Sequence, residues 1–480
     1  MCASDDLSRR KANLPLAKQA LLQKWTQGGH KQAAGAQWII PRAAESAMLP
    51  LSFGQEWYLD KQDNTPAAVW LIGKLNVNIL WWSFQEIVER HEVLRTTFVE
   101  QDGRLIQKIA PGFSIPISVE GWEHIPLEKQ ESEAIQLAIE EARCPFVVEQ
   151  GPLFRIRLLR FAAERHILVI VVSHIIADGR SFVILFHELA TLYSAFDAGE
   201  VVPLVPPPVQ YADVALWQRE RLQSPVWEEY IAFWRRQLEG VTTLRLPADF
   251  PNAAHKRFRG VDYPFPIAEP ISATIKRLNQ QEKVTTFMTM MAVFGMLLHS
   301  YTGQLDFLIG FGISNRQSPE VGEMIGLFGY MAGLRLNLAG DPNFLQILGR
   351  IRKSAMGVYA HQELLFERVM WEIDPGRDLQ QDPVFRVVLV IQNEKTLMKA
   401  EEMAGVSLQP LRVGSEAEQY DLVMVVFDTE QGLRGICEYN AELFRKETIA
   451  RLTERFQRLL SLIGSASHQP LSQLLALLDN

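Results

Sequence analysis

Ser173-His174-Ile175-Ile176-Ala177-Asp178-Gly179 is the stretch of this sequence whose residue types and spacing best suit chemistry. A histidine, a carboxylate four positions on and an adjacent glycine fall within one short turn. Imidazole exchanges protons near neutral pH, so His174 suits a group that accepts a proton from a reactant or orients it by a hydrogen bond. The same residues also suit a plain structural role. A histidine at a strand end is often a core-rim residue, and Asp before Gly is a good helix cap. Residue types alone leave both readings open.

The flanking elements say how this turn is held. His166 to Ser173 is a short, continuous apolar run rich in β-branched residues, the pattern of a strand buried on both faces. After Gly179, Phe182, Leu185, Phe186, Leu189 and Tyr193 recur at helical spacing. A buried strand thus delivers His174 into a turn, and a helix leaves it.

The rest of the chain alternates similarly. A short amphipathic helix is expected over Leu14 to Trp25, then loose chain to Ala47, and a helix capped by Ser52. Strand patterns follow at Val69 to Val77, Leu94 to Glu100 and Leu153 to Arg160, with helical patterns at Ile79 to Glu89 and Glu131 to Arg143. Asp102-Gly103 signals a hairpin leading to Leu105 to Ile109. The expected fold class is therefore mixed α/β rather than a bundle. Four prolines within Pro203 to Pro208 mark the best linker. Beyond it, helices are expected over Gln210 to Leu222, Trp227 to Leu238, Ser272 to Leu278, Thr285 to Tyr301, Phe344 to Tyr359 and Glu442 to Ile463. Strands are expected at Asp306 to Gly312, Phe385 to Gln392 and Leu422 to Phe427. The division expected is 1–47 as an N-terminal helix and linker, 48–205 as a lobe carrying the His174 turn, and 206–480 as a second lobe.

Bulk properties exclude several functions. With 480 residues, one hydrophobic core is too few. The net charge of −8 supplies no basic excess for nucleic acid. Cys2, Cys144 and Cys437 have no metal spacing and point to a reducing compartment. Met1 to Lys18 has no apolar signal region, and no apolar run approaches the roughly 20 residues of a membrane span. A cytoplasmic monomer with no membrane or nucleic-acid partner is expected. Gly310-Phe-Gly312 lacks the third glycine of a dinucleotide fingerprint, and His187-Glu188 lacks the second histidine of a zinc motif.

The His174 turn resembles the His-His-x-x-x-Asp-Gly motif of the condensation domains of nonribosomal peptide synthetases, and further segments follow in that family's order. Leu49 to Gln55 with Trp57, Arg90 to Phe98, Phe146 with Gly151 to Arg155, and Tyr211 to Gln218 are similar to its motifs. So are Ser314-Asn-Arg316, Ile325 to Phe328 with Leu334-Arg335, His361-Gln362 with Phe366-Glu367, Pro383 to Phe385 with Gln392-Asn393, and Glu438-Tyr439.

The resemblance implies two lobes, each similar to chloramphenicol acetyltransferase, arranged as a V-shaped pseudo-dimer. It implies amide formation between a donor acyl thioester and an acceptor aminoacyl thioester, each on the phosphopantetheine arm of a carrier protein, with adjacent synthetase domains as further partners. No cofactor or metal is expected to be bound by the chain itself. His174 is implied as the catalytic residue, as general base or as a positioning group. Asp178 is implied to pair with Arg316 across the lobes through a bidentate guanidinium. Gly179 is implied to allow close approach of the pantetheine or an unusual φ, and its N–H to face a developing oxyanion. Ser173 replaces the family's first histidine and is expected in a structural role. Arg180 stands where an aromatic residue is common, and Gly329-Tyr330 replaces a Val-Asn pair; Arg180 and Tyr330 are therefore channel candidates. Acyl transfer to a soluble amine or alcohol, or a non-catalytic recruiting role, are the alternatives.

Overall fold

The computed structural model describes residues 40–44, 48–112, 114–251, 260–379, 382–393, 400–413 and 420–479. The helix expected over Leu14 to Trp25 lies outside the described residues. Helix α1 (Phe53–Tyr58) starts at Ser52, whose hydroxyl accepts the Gln55 amide while the Gln55 side chain returns a bond to the Ser52 backbone. Then come β1 (Asn64–Ile72), α2 (Val77–Arg90), β2 (Thr96–Gln101), β3 (Arg104–Ile109), β4 (Ile117–Gly121), α3 (Gln130–Arg143), β5 (Phe154–Ala162), β6 (Arg165–Ser173) and α4 (Gly179–Asp197). The proline-rich segment after α4 carries neither helix nor strand.

Next in the chain are α5 (Tyr211–Arg221), α6 (Val226–Leu238), β7 (Gly260–Pro266), α7 (Glu269–Glu282), α8 (Thr286–Thr302), β8 (Asp306–Ile313), the one-turn α9 (Pro319–Gly322) and β9 (Tyr330–Asn337). The chain closes with α10 (Phe344–Ala360), α11 (Phe366–Ile373), β10 (Val387–Asn393), β11 (Glu401–Met403), β12 (Val406–Leu411), β13 (Leu422–Thr429), β14 (Gly432–Asn440), α12 (Lys446–Ala466) and α13 (Leu471–Asp479).

Two six-stranded sheets organise these elements, in the orders β11-β12-β1-β6-β5-β4 and β7-β14-β13-β10-β8-β9, beside a separate β2-β3 hairpin. β6 is buried at every position after Arg165. Its neighbours β1 and β5 both run antiparallel to it, so its continuous apolar character comes from helices on both faces rather than from a parallel sheet. Ile170 and Val172 face Phe84 and Ile87 of α2 and Leu185 of α4, and α3 packs against β1 and β6. Asp102 and Gly103 both take positive φ, 52° and 70°, the requirement of a two-residue turn that follows strand twist.

β1 begins at Asn64, earlier than the periodicity suggests. Pro66 falls where β1 pairs with β6 but not with β12, so its missing N–H interrupts no ladder on that side. In the second sheet, α8 is buried from Met288 to Leu298 and packs on α10 and α12. Its methionines are core filling. Gly310 is a close-packing position: a Cβ there would collide with the Phe385 ring.

The two cores are not contiguous in sequence. Val321, Met324, Ile325, Leu327 and Phe328 from the segment after β8, and Met403, Val406 and Leu408 from the β11-β12 hairpin, join the core of the first sheet. The hairpin enters that sheet along β1, from Ala68 opposite Leu411 to Ile72 opposite Ser407. Val209, Tyr211, Val214 and Trp217 also belong to the first core. Two returning segments therefore tie the halves together, one of them beside the His174 turn. Among the described residues no single helix is long and apolar enough to cross a bilayer.

Candidate active site

β6 ends at Ser173, which is buried and takes a backbone bond from its N–H to the Leu153 carbonyl. Past it the chain turns sharply. The His174 N–H donates to the Asp63 carbonyl at 2.8 Å, and the Ile176 N–H returns to the Ser173 carbonyl. The half-buried His174 ring has Nδ1 2.7 Å from the Ala177 carbonyl oxygen. A carbonyl only accepts, so Nδ1 carries the proton and the neutral ring presents Nε2 as an acceptor. The Tyr58 ring braces the other side, with centroids 4.5 Å apart at 58°.

Asp178 caps α4. Its Oδ1 accepts the Ser181 N–H at 2.9 Å and the Ser181 hydroxyl at 2.8 Å. Oδ2 accepts the Phe328 and Gly329 N–H groups at 3.2 and 2.9 Å, reaching across to the returning segment. Arg316 completes the cluster, but not as a fork. Its Nη2 alone meets both Asp178 oxygens, at 3.0 and 3.2 Å. Nη1 is drawn to the Val321 and Met324 carbonyls at 2.8 and 2.5 Å, so the expected bidentate geometry gives way to a guanidinium that staples carboxylate and loop together. Asn315, at φ 47°, supplies the left-handed step before Arg316. Burial pushes the Asp178 carboxyl up, but Arg316, the Gly329 amide and Ser181 outweigh it and hold the carboxyl below its ordinary value.

Gly179 is the exposed first residue of α4 and lies outside the left-handed φ region. The unusual φ considered for it is therefore absent; what its missing side chain leaves is open space, with no heavy atom within 4 Å of a Cβ. Arg180 reaches Glu323 of the returning segment at 3.3 Å, both side chains being partly exposed. Tyr330 is buried at the start of β9, and its hydroxyl donates to the Gln362 carbonyl at 2.6 Å. The structure thus gathers Ser173, His174, Asp178, Gly179, Arg180 and Arg316 at one junction, while the Tyr330 side chain sits in the second core.

Two neighbours of this junction have no role that the sequence foretells. Lys61, just past α1, sits with Nζ 3.4 Å from the centre of the Trp57 ring. Glu367, at the start of α11, acts on Lys61 and on Tyr58. Burial lowers the Lys61 amine to about 8 and raises the Glu367 carboxyl to about 7. Lys61 lies in no motif; Glu367 follows Phe366 in one, but nothing local marks it as buried.

A family model described as Condensation domain matches residues 45–480. The chain is 35% identical over 451 residues to a component of the linear gramicidin synthase of Brevibacillus parabrevis, covering 92% of this chain and 6% of that protein. It is also 34% identical over 426 residues to the chondramide synthase of Chondromyces crocatus, covering 86% of this chain and 11% of that protein. The chain thus spans a small part of the curated relatives it matches. Among solved structures, the X-domain from teicoplanin biosynthesis superposes with a TM-score of 0.80 at 24% identity, over 90% of this chain and 99% of that one. The first condensation domain of the calcium-dependent antibiotic synthetase, in complex with a substrate analogue, gives a TM-score of 0.72 at 18% identity, over 89% and 99%. These two likenesses bear on the fold, the two-lobed chloramphenicol-acetyltransferase-like architecture.

Proposed function

The chain belongs to the condensation-domain family, and from that premise we propose that it forms an amide between a donor acyl thioester and an acceptor aminoacyl thioester. Condensation domains of multidomain synthetases work with carrier-protein domains; here the proposal is one donor and one acceptor carrier, each bringing its own phosphopantetheine arm, in the cytoplasm. Residues 48–205 and 206–480 act as the two lobes of a monomer, with the returning segments binding them. Arg180 is proposed to shape the channel directly, and Tyr330, whose side chain sits in the second core, only by fixing the start of β9.

The observation that carries this reading is the His174 ring, tied through Nδ1 to the Ala177 carbonyl so that Nε2 is the ring's accepting atom. The acceptor nitrogen attacks the donor carbonyl carbon, and Nε2 takes the proton that nitrogen must shed as the C–N bond forms. Passing that proton to the sulfur as the C–S bond breaks returns the ring to its starting tautomer. Two tethered reactants gain further rate from proximity alone. Asp178 and Arg316 keep the turn in shape, and Gly179 leaves room for the arm.

A reconstituted assay with loaded donor and acceptor carriers tests this. His174→Ala should lower product formation about 10²–10⁴-fold, the usual range for loss of a positioned proton acceptor, with folding unchanged. Undiminished product from the variant would end the catalytic reading of His174. Replacing the acceptor carrier by a free amine should abolish efficient turnover; equal rates would point instead to acyl transfer to soluble acceptors.

A further inference from the structure

Glu367 is half-buried, and one of its carboxyl oxygens, Oε2, is buried with no hydrogen-bond partner among the described residues. Native proteins seldom leave such an atom without a reason, because burying an unpaired charged acceptor is expensive. Its surroundings lead directly to His174. One turn along α11 from Glu367, on the same helix face, Trp371 meets Trp57 of α1 with ring centroids 5.7 Å apart. Lys61 lies over Trp57 and 5.5 Å from the centre of the Tyr58 ring. Tyr58 in turn packs on the imidazole. The Glu367 charge is felt by Tyr58, Tyr330 and Tyr420, and Asp63 acts on Lys61, Tyr58 and Tyr420. Lys61, a cation whose charge acts on Glu367, lies over the Trp57 indole and forms no ion pair with Glu367.

A carboxylate so placed, whose charge is felt by Tyr58, the ring that packs on His174, and which forms no ion pair among the described residues, suits a cation brought by a ligand. We propose that Glu367 docks the acceptor as its ammonium and takes the first of the two protons that nitrogen must lose. The inference rests on the amide-forming reading above. In the step, R–NH₃⁺ gives one proton to the Glu367 carboxylate, leaving a neutral amine and a carboxylic acid. The amine then attacks the thioester; its second proton goes through His174 Nε2 to the departing sulfur. The proton on Glu367 is released to water when the product leaves, which matches the one net proton freed when an ammonium and a thioester become an amide and a thiol. Burial, which brings the carboxyl up to about 7, also brings it into the range where it exchanges protons with an ammonium.

The test is Glu367→Gln in the intact protein, followed over pH with two carrier-bound acceptors. One is the aminoacyl thioester, and the other its aminooxy analogue, which is weakly basic and neutral at the same pH. With the aminoacyl acceptor the variant should lose about 10²-fold in kcat/KM near pH 7, the loss shrinking as pH rises and the acceptor arrives neutral. With the aminooxy acceptor it should lose little. Equal losses with both acceptors at every pH, which a merely structural role would give, overturn the proposal, as does no loss with either. Binding of aminoacyl-pantetheine, measured apart from turnover, should be about tenfold weaker in the variant at pH 7, and equal affinities overturn the docking role. If wild type binds in this way but forms no amide, the failure lies in the amide-forming reading and the docking role stands.

Discussion

Two carboxylates lie at the junction of the lobes, and their surroundings are opposites. Asp178 is 5% exposed, and its two oxygens are filled by the Ser181, Phe328 and Gly329 amides, the Ser181 hydroxyl and Arg316. Its carboxyl is held below the ordinary value. Glu367 has a buried oxygen with no partner among the described residues, and burial holds its carboxyl up. A buried charge whose every lone pair is occupied by the protein fixes shape; one left incomplete is free to meet something else. Asp178 thus reads as the staple and Glu367 as the receptor, although one stands in the His174 turn and the other acts on the Tyr58 ring that packs on that histidine.

The sharpest way to break this contrast is to remove the staple. Asp178→Ala strips the partner from buried Arg316 and from two amides of the returning segment, and should cost about 3–5 kcal/mol in urea unfolding. The Asp178 carboxyl is depressed in the fold, so its contribution is present above the unfolded pKa and fades as pH falls. Wild type and variant should therefore converge below about pH 4. A loss under about 1 kcal/mol at neutral pH would show that the network is not structural.

Glu367 should behave in the opposite sense. Its carboxyl rises from the ordinary 4.5 to about 7, so between those values the folded state holds more protons than the unfolded chain and stability falls as pH rises. Glu367→Gln should abolish that slope and stabilise the protein near pH 8 by about 2–3 kcal/mol. Lys61, lowered from 10.5 to about 8, gives the complementary slope: its charged form is disfavoured, and stability recovers as pH climbs between those values. Identical pH–stability curves for wild type and Glu367→Gln would mean that the carboxylate is satisfied after all.

Much of the staple could be read from the chain, and little of the receptor. His174, Asp178 and Gly179 stand in one turn between a continuous apolar strand and a periodic helix, so local pattern finds them. The Asp178 and Arg316 pairing, 138 positions apart, came only through resemblance to a family. The bidentate geometry inferred with it failed because the carbonyls of Val321 and Met324 compete for Nη1, and their position depends on how the returning segment folds. The β11-β12 hairpin left no mark either: its strands are short, and they pair with a partner more than 300 residues earlier. Glu367 escaped for a related reason. It stands in the first turn of α11 and looks like a surface residue, and the groups that feel its charge, Tyr58, Lys61, Tyr330 and Tyr420, come from distant parts of the chain.

A weaker link across the junction is Arg180 with Glu323, at 3.3 Å and with side chains 31% and 71% exposed. It spans the same two segments as Asp178 and Arg316, so it tests whether bridging the lobes is itself what matters or whether burial is. Exposed pairs of this kind gain little, because water screens the attraction and two long side chains must be ordered. Arg180 also repels Arg316, so Arg180→Ala relieves one unfavourable contact while losing a favourable one. The two effects should nearly cancel, giving a change within about 0.5 kcal/mol that shrinks further in high salt. A double-mutant cycle with Glu323→Ala separates the terms. A coupling above about 1 kcal/mol would place the exposed pair beside the buried one as a structural tie, and the distinction between satisfied, buried charge and solvated charge would fail.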